Sequence, residues 1–149
     1  SNSVLEFWND LYKIRSKTND LSNNIKDIKN KINLLLKAYE RGKYIDEKLQ
    51  SDLLNVRVKC LNLEQQINGS KSRSEIGEKN EYPSIGTYLW AASGSARSTY
   101  GPTKSHRKSL IIAKTIFNKL ISELNTINNL IKPLENKMGK IGAPSIRNK

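Results

Sequence analysis

Cysteine and histidine each occur once in the 149 residues, and proline only four times. A lone Cys60 cannot close an internal disulfide, so cysteine usage says little about redox compartment. One His and one Cys are too few for the usual four-ligand His/Cys metal cage. No run of about eighteen apolar residues occurs, so no segment reads as a membrane-spanning helix. The N-terminus lacks the basic region and apolar stretch of an export signal, as an excised piece of a longer protein also would. Neither common Gly-rich phosphate loop is present, and there is no HExxH, no EF-hand loop and no nucleophile elbow. No cofactor is expected. Acids are scarce too: 14 Asp and Glu stand against 26 Lys and Arg, a formal net charge of +12.

What is present is helical patterning. Hydrophobic content is 36% and charged content 27%, which is polar for a globular chain yet too apolar for disorder. Elongated helical bundles have this balance, because their surface is large relative to a narrow seam. The length suits one domain, 1–149. In segment 3–41, Val4, Trp8, Leu11, Ile14, Thr18, Leu21, Ile25, Ile28, Ile32, Leu35 and Tyr39 follow steps of four and three. One extra step of three near Ile14 makes this a heptad seam with a single stammer. Gly42 is the expected stop.

A second helix is predicted over 46–68, with Asp46 as N-cap and Gly69 as the C-terminal glycine. Its seam is Leu49, Leu53, Val56, Cys60, Leu63 and Ile67, which makes Cys60 a small hydrophobe and not a nucleophile. Residues 70–84 read as a loop containing Pro83. Ser84 then caps a short helix over 85–93 with Ile85, Tyr88, Leu89 and Ala92 on one face, ended by Ser93, Gly94 and Ser95. Pro102 precedes Thr103, the N-cap of a last helix over 104–141. Its seam runs Leu110, Ala113, Phe117, Leu120, Leu124, Ile127, Ile131, Leu134, Met138 and Ile141. Pro133 lies inside it and predicts a bend or break near 130–132, with the phase kept beyond; Gly142 and Pro144 close it. The economical solution is all-α: an antiparallel up-down-up bundle of three long helices, with the short fourth in the crossover.

Chemistry is sparse. His106 is flanked by Lys104, Ser105, Arg107 and Lys108 and has no partner carboxylate or nucleophile, so it reads as a surface histidine. Glu123 and Glu135 are too far apart on one helix for a glycosidase pair. Asn68-Gly69-Ser70 matches a glycosylation sequon, relevant only in a eukaryotic secretory setting. The odd stretch is "YPSIGTYLWAASGSARSTYGPT", residues 82–103, where Tyr82, Tyr88, Trp90 and Tyr100 sit among small residues with Arg97 nearby. These aromatics are expected to cover the end of the bundle, and any left exposed would mark a partner face. The charge also admits a second function, binding nucleic acid or another anionic polymer, although lysines this dispersed read first as the mark of a Lys- and Asn-rich composition.

The order of Asn68-Gly69, Ser72-Arg73, Asn80-Glu81, Pro83-Ser84-Ile85, Ser98-Thr99, Pro102-Thr103, Phe117, Pro133-Leu134-Glu135 and Gly142-Ala143-Pro144 resembles the helical C-terminal domain of bacterial exported sortilin-like or BNR-repeat β-propeller proteins. Such proteins are often labelled glycosyl hydrolases by analogy. The resemblance covers roughly 45–144 and departs at several points. One proline stands where two are usual, His106 replaces a common Gln, and Met138 takes a Leu position. It implies a non-catalytic module of an extracytoplasmic protein, with any hydrolase activity in the propeller. That propeller or another subunit would be its partner.

Overall fold

The computed structural model describes residues 2–43, 45–69 and 84–141. These are helical, with no strand among the described residues. Helix α1 spans Asn2–Gly42, α2 Glu47–Asn68, α3 Ile85–Ser93 and α4 Lys104–Lys140, and a 3₁₀ turn, Gly94–Arg97, follows α3. The chain has all-α, helical-bundle character. Two compact units divide it: Ser1–Ser22 with Glu64–Ile121, and Asn23–Leu63 with Ser122–Lys149.

Helices α2, α3 and α4 start where a side chain can satisfy their first amides. Asp46 Oδ1 accepts from Leu49 N at 3.0 Å, Ser84 Oγ from Thr87 N at 3.3 Å and Thr103 Oγ1 from His106 N at 3.2 Å. Gly69 has φ +76, so α2 ends on the left-handed residue that glycine supplies. Helix α3 ends at Ser93 as expected, and the chain then tightens into the 3₁₀ turn, in which Ser95 is buried and its Oγ donates to Ala92 O at 2.7 Å.

The seams are buried as their spacing requires. All six expected residues of α2 are buried, Cys60 included. In α4, Phe117 is half-buried, as is Ile141 just beyond its end, and the other expected seam residues are buried. The correction falls in α1. Phe7 is 3% exposed, whereas Val4 and Trp8 are only half-buried. Counting Phe7, Leu11, Ile14, Thr18, Leu21 and onward to Tyr39, the steps alternate four and three throughout, so there is no stammer. A stammer would have overwound the helix locally; the adjacent phenylalanine removes the need. Thr18 keeps its place in the seam because Oγ1 donates to Ile14 O at 2.6 Å.

Nor does α4 break at Pro133. The helix is continuous from Lys104 to Lys140, and Leu134 and Met138 are buried in phase. Pro133 and Asn129 are both exposed, so water can satisfy the Asn129 carbonyl that the missing N–H leaves.

In the unit containing Asn23–Leu63, the turn between α1 and α2 is latched by Tyr39. Its hydroxyl donates to Asp46 O at 3.0 Å and accepts from Asp46 N at 2.9 Å, while its ring stays in the seam. In the same unit Lys31 Nζ pairs with Glu135 Oε1 at 2.7 Å. In the other unit Lys114 Nζ pairs with Asp10 Oδ2, also at 2.7 Å, and the Arg107 guanidinium lies 5.6 Å from the Phe7 ring centroid. There α3 delivers Ile85, Leu89 and Ala92 to the core. It approaches so closely that a Cβ at Gly86 would stand 2.9 Å from the Ile67 carbonyl oxygen.

Two measurements check this packing. Gly86→Ala should destabilise the chain by about 1–3 kcal/mol in denaturant unfolding, because backbone must move. Gly139→Ala, with nothing within 4 Å of a new Cβ, should stabilise it by about 0.5–1 kcal/mol through helix propensity. The α1 register is read by truncation. Phe7→Ala should cost about 3 kcal/mol or more, and Trp8→Ala clearly less; the reverse order would restore the stammer.

Candidate functional site: an aromatic surface beside α3

The sequence places Trp90 one turn before Ser93 on α3, and Tyr100 just beyond the 3₁₀ turn. Because Ile85, Leu89 and Ala92 take the buried face, Trp90 is turned outward. It is 74% exposed and Tyr100 is 98% exposed. Covering the bundle end is therefore not the work of these two aromatics. Tyr88 is half-buried and Arg97 exposed. Tyr82, Pro83, Gly142 and Pro144, together with loop residues 70–83, lie outside the described residues. Asn68 is the exposed last residue of α2, Ser84 is a buried cap, and Pro102 is half-buried next to the Thr103 cap.

A groove of about 530 Å³ lies in the same unit, between α1 and the end of α3. Trp8 and Tyr12, four residues apart, form one wall with Leu11 at its floor; Tyr12 is 76% exposed. Arg15, Ser16 and Asn19 continue the line along α1, and Ser93 and Ala96 face them from α3 and the 3₁₀ turn. Trp8 is held edge-on to Phe7, ring centroids 5.7 Å apart at 78°. Arg15 Nη1 donates to Ser93 Oγ at 3.4 Å across the groove. Gly101 brings the segment after Tyr100 to α1, since a Cβ there would lie 3.8 Å from Val4 Cγ2, one turn before Trp8.

Sequence reasoning found the α3 aromatics but missed Trp8, Tyr12 and Arg15. The spacing puts Trp8 in the seam, and the other two signal nothing until α3 is laid against them. Charge adds to the picture. From Tyr82 to Ser122 there is no Asp or Glu, and there are six Lys and Arg. A smaller apolar stripe, Leu54, Val58 and Leu61, is partly exposed on α2.

His106 has a definite place. Thr103 N donates to His106 Nδ1 at 3.1 Å while His106 N donates to Thr103 Oγ1. This is a reciprocal capping box with imidazole in the third position. The ring edge also lies against Gly94, where a Cβ would stand 3.4 Å from Nε2. Among the described residues, no group of three or more His, Cys, Asp and Glu side chains converges as a metal site would require. No helix is long and apolar enough to cross a membrane, again among the described residues. No protein-family model matches the chain, and no curated protein or solved structure matches it.

The capping arrangement sets an expectation for stability. Thr103→Ala should cost about 1 kcal/mol in thermal or denaturant unfolding. His106→Gln should cost less than His106→Ala, since an amide oxygen can still accept the Thr103 amide.

Proposed function

We propose that this chain is a non-catalytic helical bundle module that works by contact, docking on the propeller of an exported, extracytoplasmic protein or on another subunit. The observation that carries the reading is the exposure of Trp90 and Tyr100. Large aromatics left in water beside a preformed groove are the residue types that anchor protein interfaces. The sequence resemblance to propeller-linked helical domains supplies the context.

The same proposal includes an up-down-up course for the three long helices, with α3 in the crossover. Its support is the order of paired residues. In one unit Phe7 and Asp10 of α1 meet Arg107 and Lys114 of α4, rising together. In the other, the tight α1–α2 turn latched by Tyr39 favours an antiparallel hairpin. The net charge of +12 and the acid-free run 82–122 support a second reading, a binder of nucleic acid or another anionic polymer.

Photo-cross-linking separates these. With benzoylphenylalanine in place of Trp90, and in place of Lys59 as a control, adducts to a propeller segment or second polypeptide should form at position 90 and not at 59. Equal labelling at both positions defeats the contact reading. So does tight binding of oligonucleotides at low salt that collapses as salt rises.

A further inference from the structure

We infer that the groove between α1 and the end of α3 is a recognition site for an extended acidic peptide segment carrying an aromatic or aliphatic residue beside its carboxylate. The inference rests on the contact reading above and names the chemistry of the partner.

Trp8, Tyr12, Arg15 and Asn19 follow one ridge of α1. At 1.5 Å per residue that ridge is about 16 Å long, enough for about five residues of extended chain. The lining combines what such a segment needs. Trp8 and Tyr12 offer apolar area with little rotamer entropy to lose. Asn19 and Ser16 offer hydrogen bonds to a peptide backbone, whereas the Ser93 hydroxyl already donates to Leu89 O and accepts from Arg15.

Arg15 sets the charge preference. A guanidinium has five N–H groups, and here one donates to Ser93 Oγ at 3.4 Å, which leaves the others for a ligand. Two of them can meet a carboxylate in bidentate fashion. Among the described residues, no carboxylate lines the groove. Asp10, on the neighbouring face of α1, is held by Lys114 at 2.7 Å. Arg97 follows Ala96 directly, within a stretch that carries six cations and no acid. An incoming acidic segment therefore meets attraction from the groove and from its border.

A nucleic acid is disfavoured by the same lining. Tracking a phosphate backbone calls for a row of cations along the floor, with bases on the aromatics. Among the described residues the groove proper has one cation, and its floor is Leu11.

The test is random-peptide phage display on the full chain, followed by fluorescence anisotropy with a synthetic peptide of the enriched type. Enriched sequences should pair Asp or Glu with an aromatic residue or Leu. Binding should fall about tenfold or more in Arg15→Glu and by a similar factor in Tyr12→Ser, with Arg15→Lys in between. Because Arg15 and Tyr12 are exposed, circular-dichroism melting should be unchanged, which separates lost binding from lost fold. Enrichment without an excess of acids, unchanged binding by Arg15→Glu, or tighter binding of oligo-dT than of the peptide overturns the inference. A cross-link at position 90 that forms undiminished in Arg15→Glu also overturns it, while leaving the contact reading intact.

Discussion

The burial of one uninterrupted stripe along α1 is the constraint on which everything else turns. From Phe7 to Tyr39 the stripe alternates steps of four and three, and every member is buried. Yet α2 is 22 residues long against 41 for α1 and 37 for α4. At 1.5 Å per residue α2 falls short of α1 by nearly 30 Å. Leaving that length of stripe wet would forfeit roughly 1.5–3 kcal/mol for each large apolar side chain. In the unit that holds the start of α1, the deficit is made up by α3, whose nine residues include Ile85, Leu89 and Ala92 in the core. Gly86 is what permits the approach, because any side chain there would meet the Ile67 carbonyl.

That division of labour frees the aromatics. Once small and aliphatic residues of α3 take the core positions, Trp90 falls on the opposite side of a helix that has only one buried face. Tyr100 falls in a turn whose direction Gly101, at φ +81, determines. The exposed surface is thus a by-product of how the stripe is covered, and it lies beside the groove that Trp8 and Tyr12 open. Packing and recognition in this unit share one short element.

Much of this was legible in the sequence because it is local. Three caps (Asp46, Ser84 and Thr103), the Gly69 stop and the α2 and α4 seams are all fixed by neighbours a few residues away. The Phe7–Trp8 pair misled because the larger apolar residue sat one place off the true step, although counting back four from Leu11 reaches phenylalanine. Of the bend or break expected at Pro133, the break is absent and the phase is kept; a proline's cost depends on whether the orphaned carbonyl faces core or water, and the sequence does not state the face. The groove was out of reach altogether. Arg15 and Ser93 are 78 positions apart, and no periodicity of either segment reports their meeting. His106 was legible in principle, as the third residue after a threonine cap, but imidazole is an unusual occupant of that place.

That unusual occupant ties the start of α4 to the turn that precedes it. The imidazole accepts the Thr103 amide through Nδ1, and its other edge lies against Gly94, where an added Cβ would stand 3.4 Å from Nε2. Glutamine in the same place could close the capping box but would bring no rigid ring to Gly94, so one side chain fastens the new helix and braces the exit from the old one.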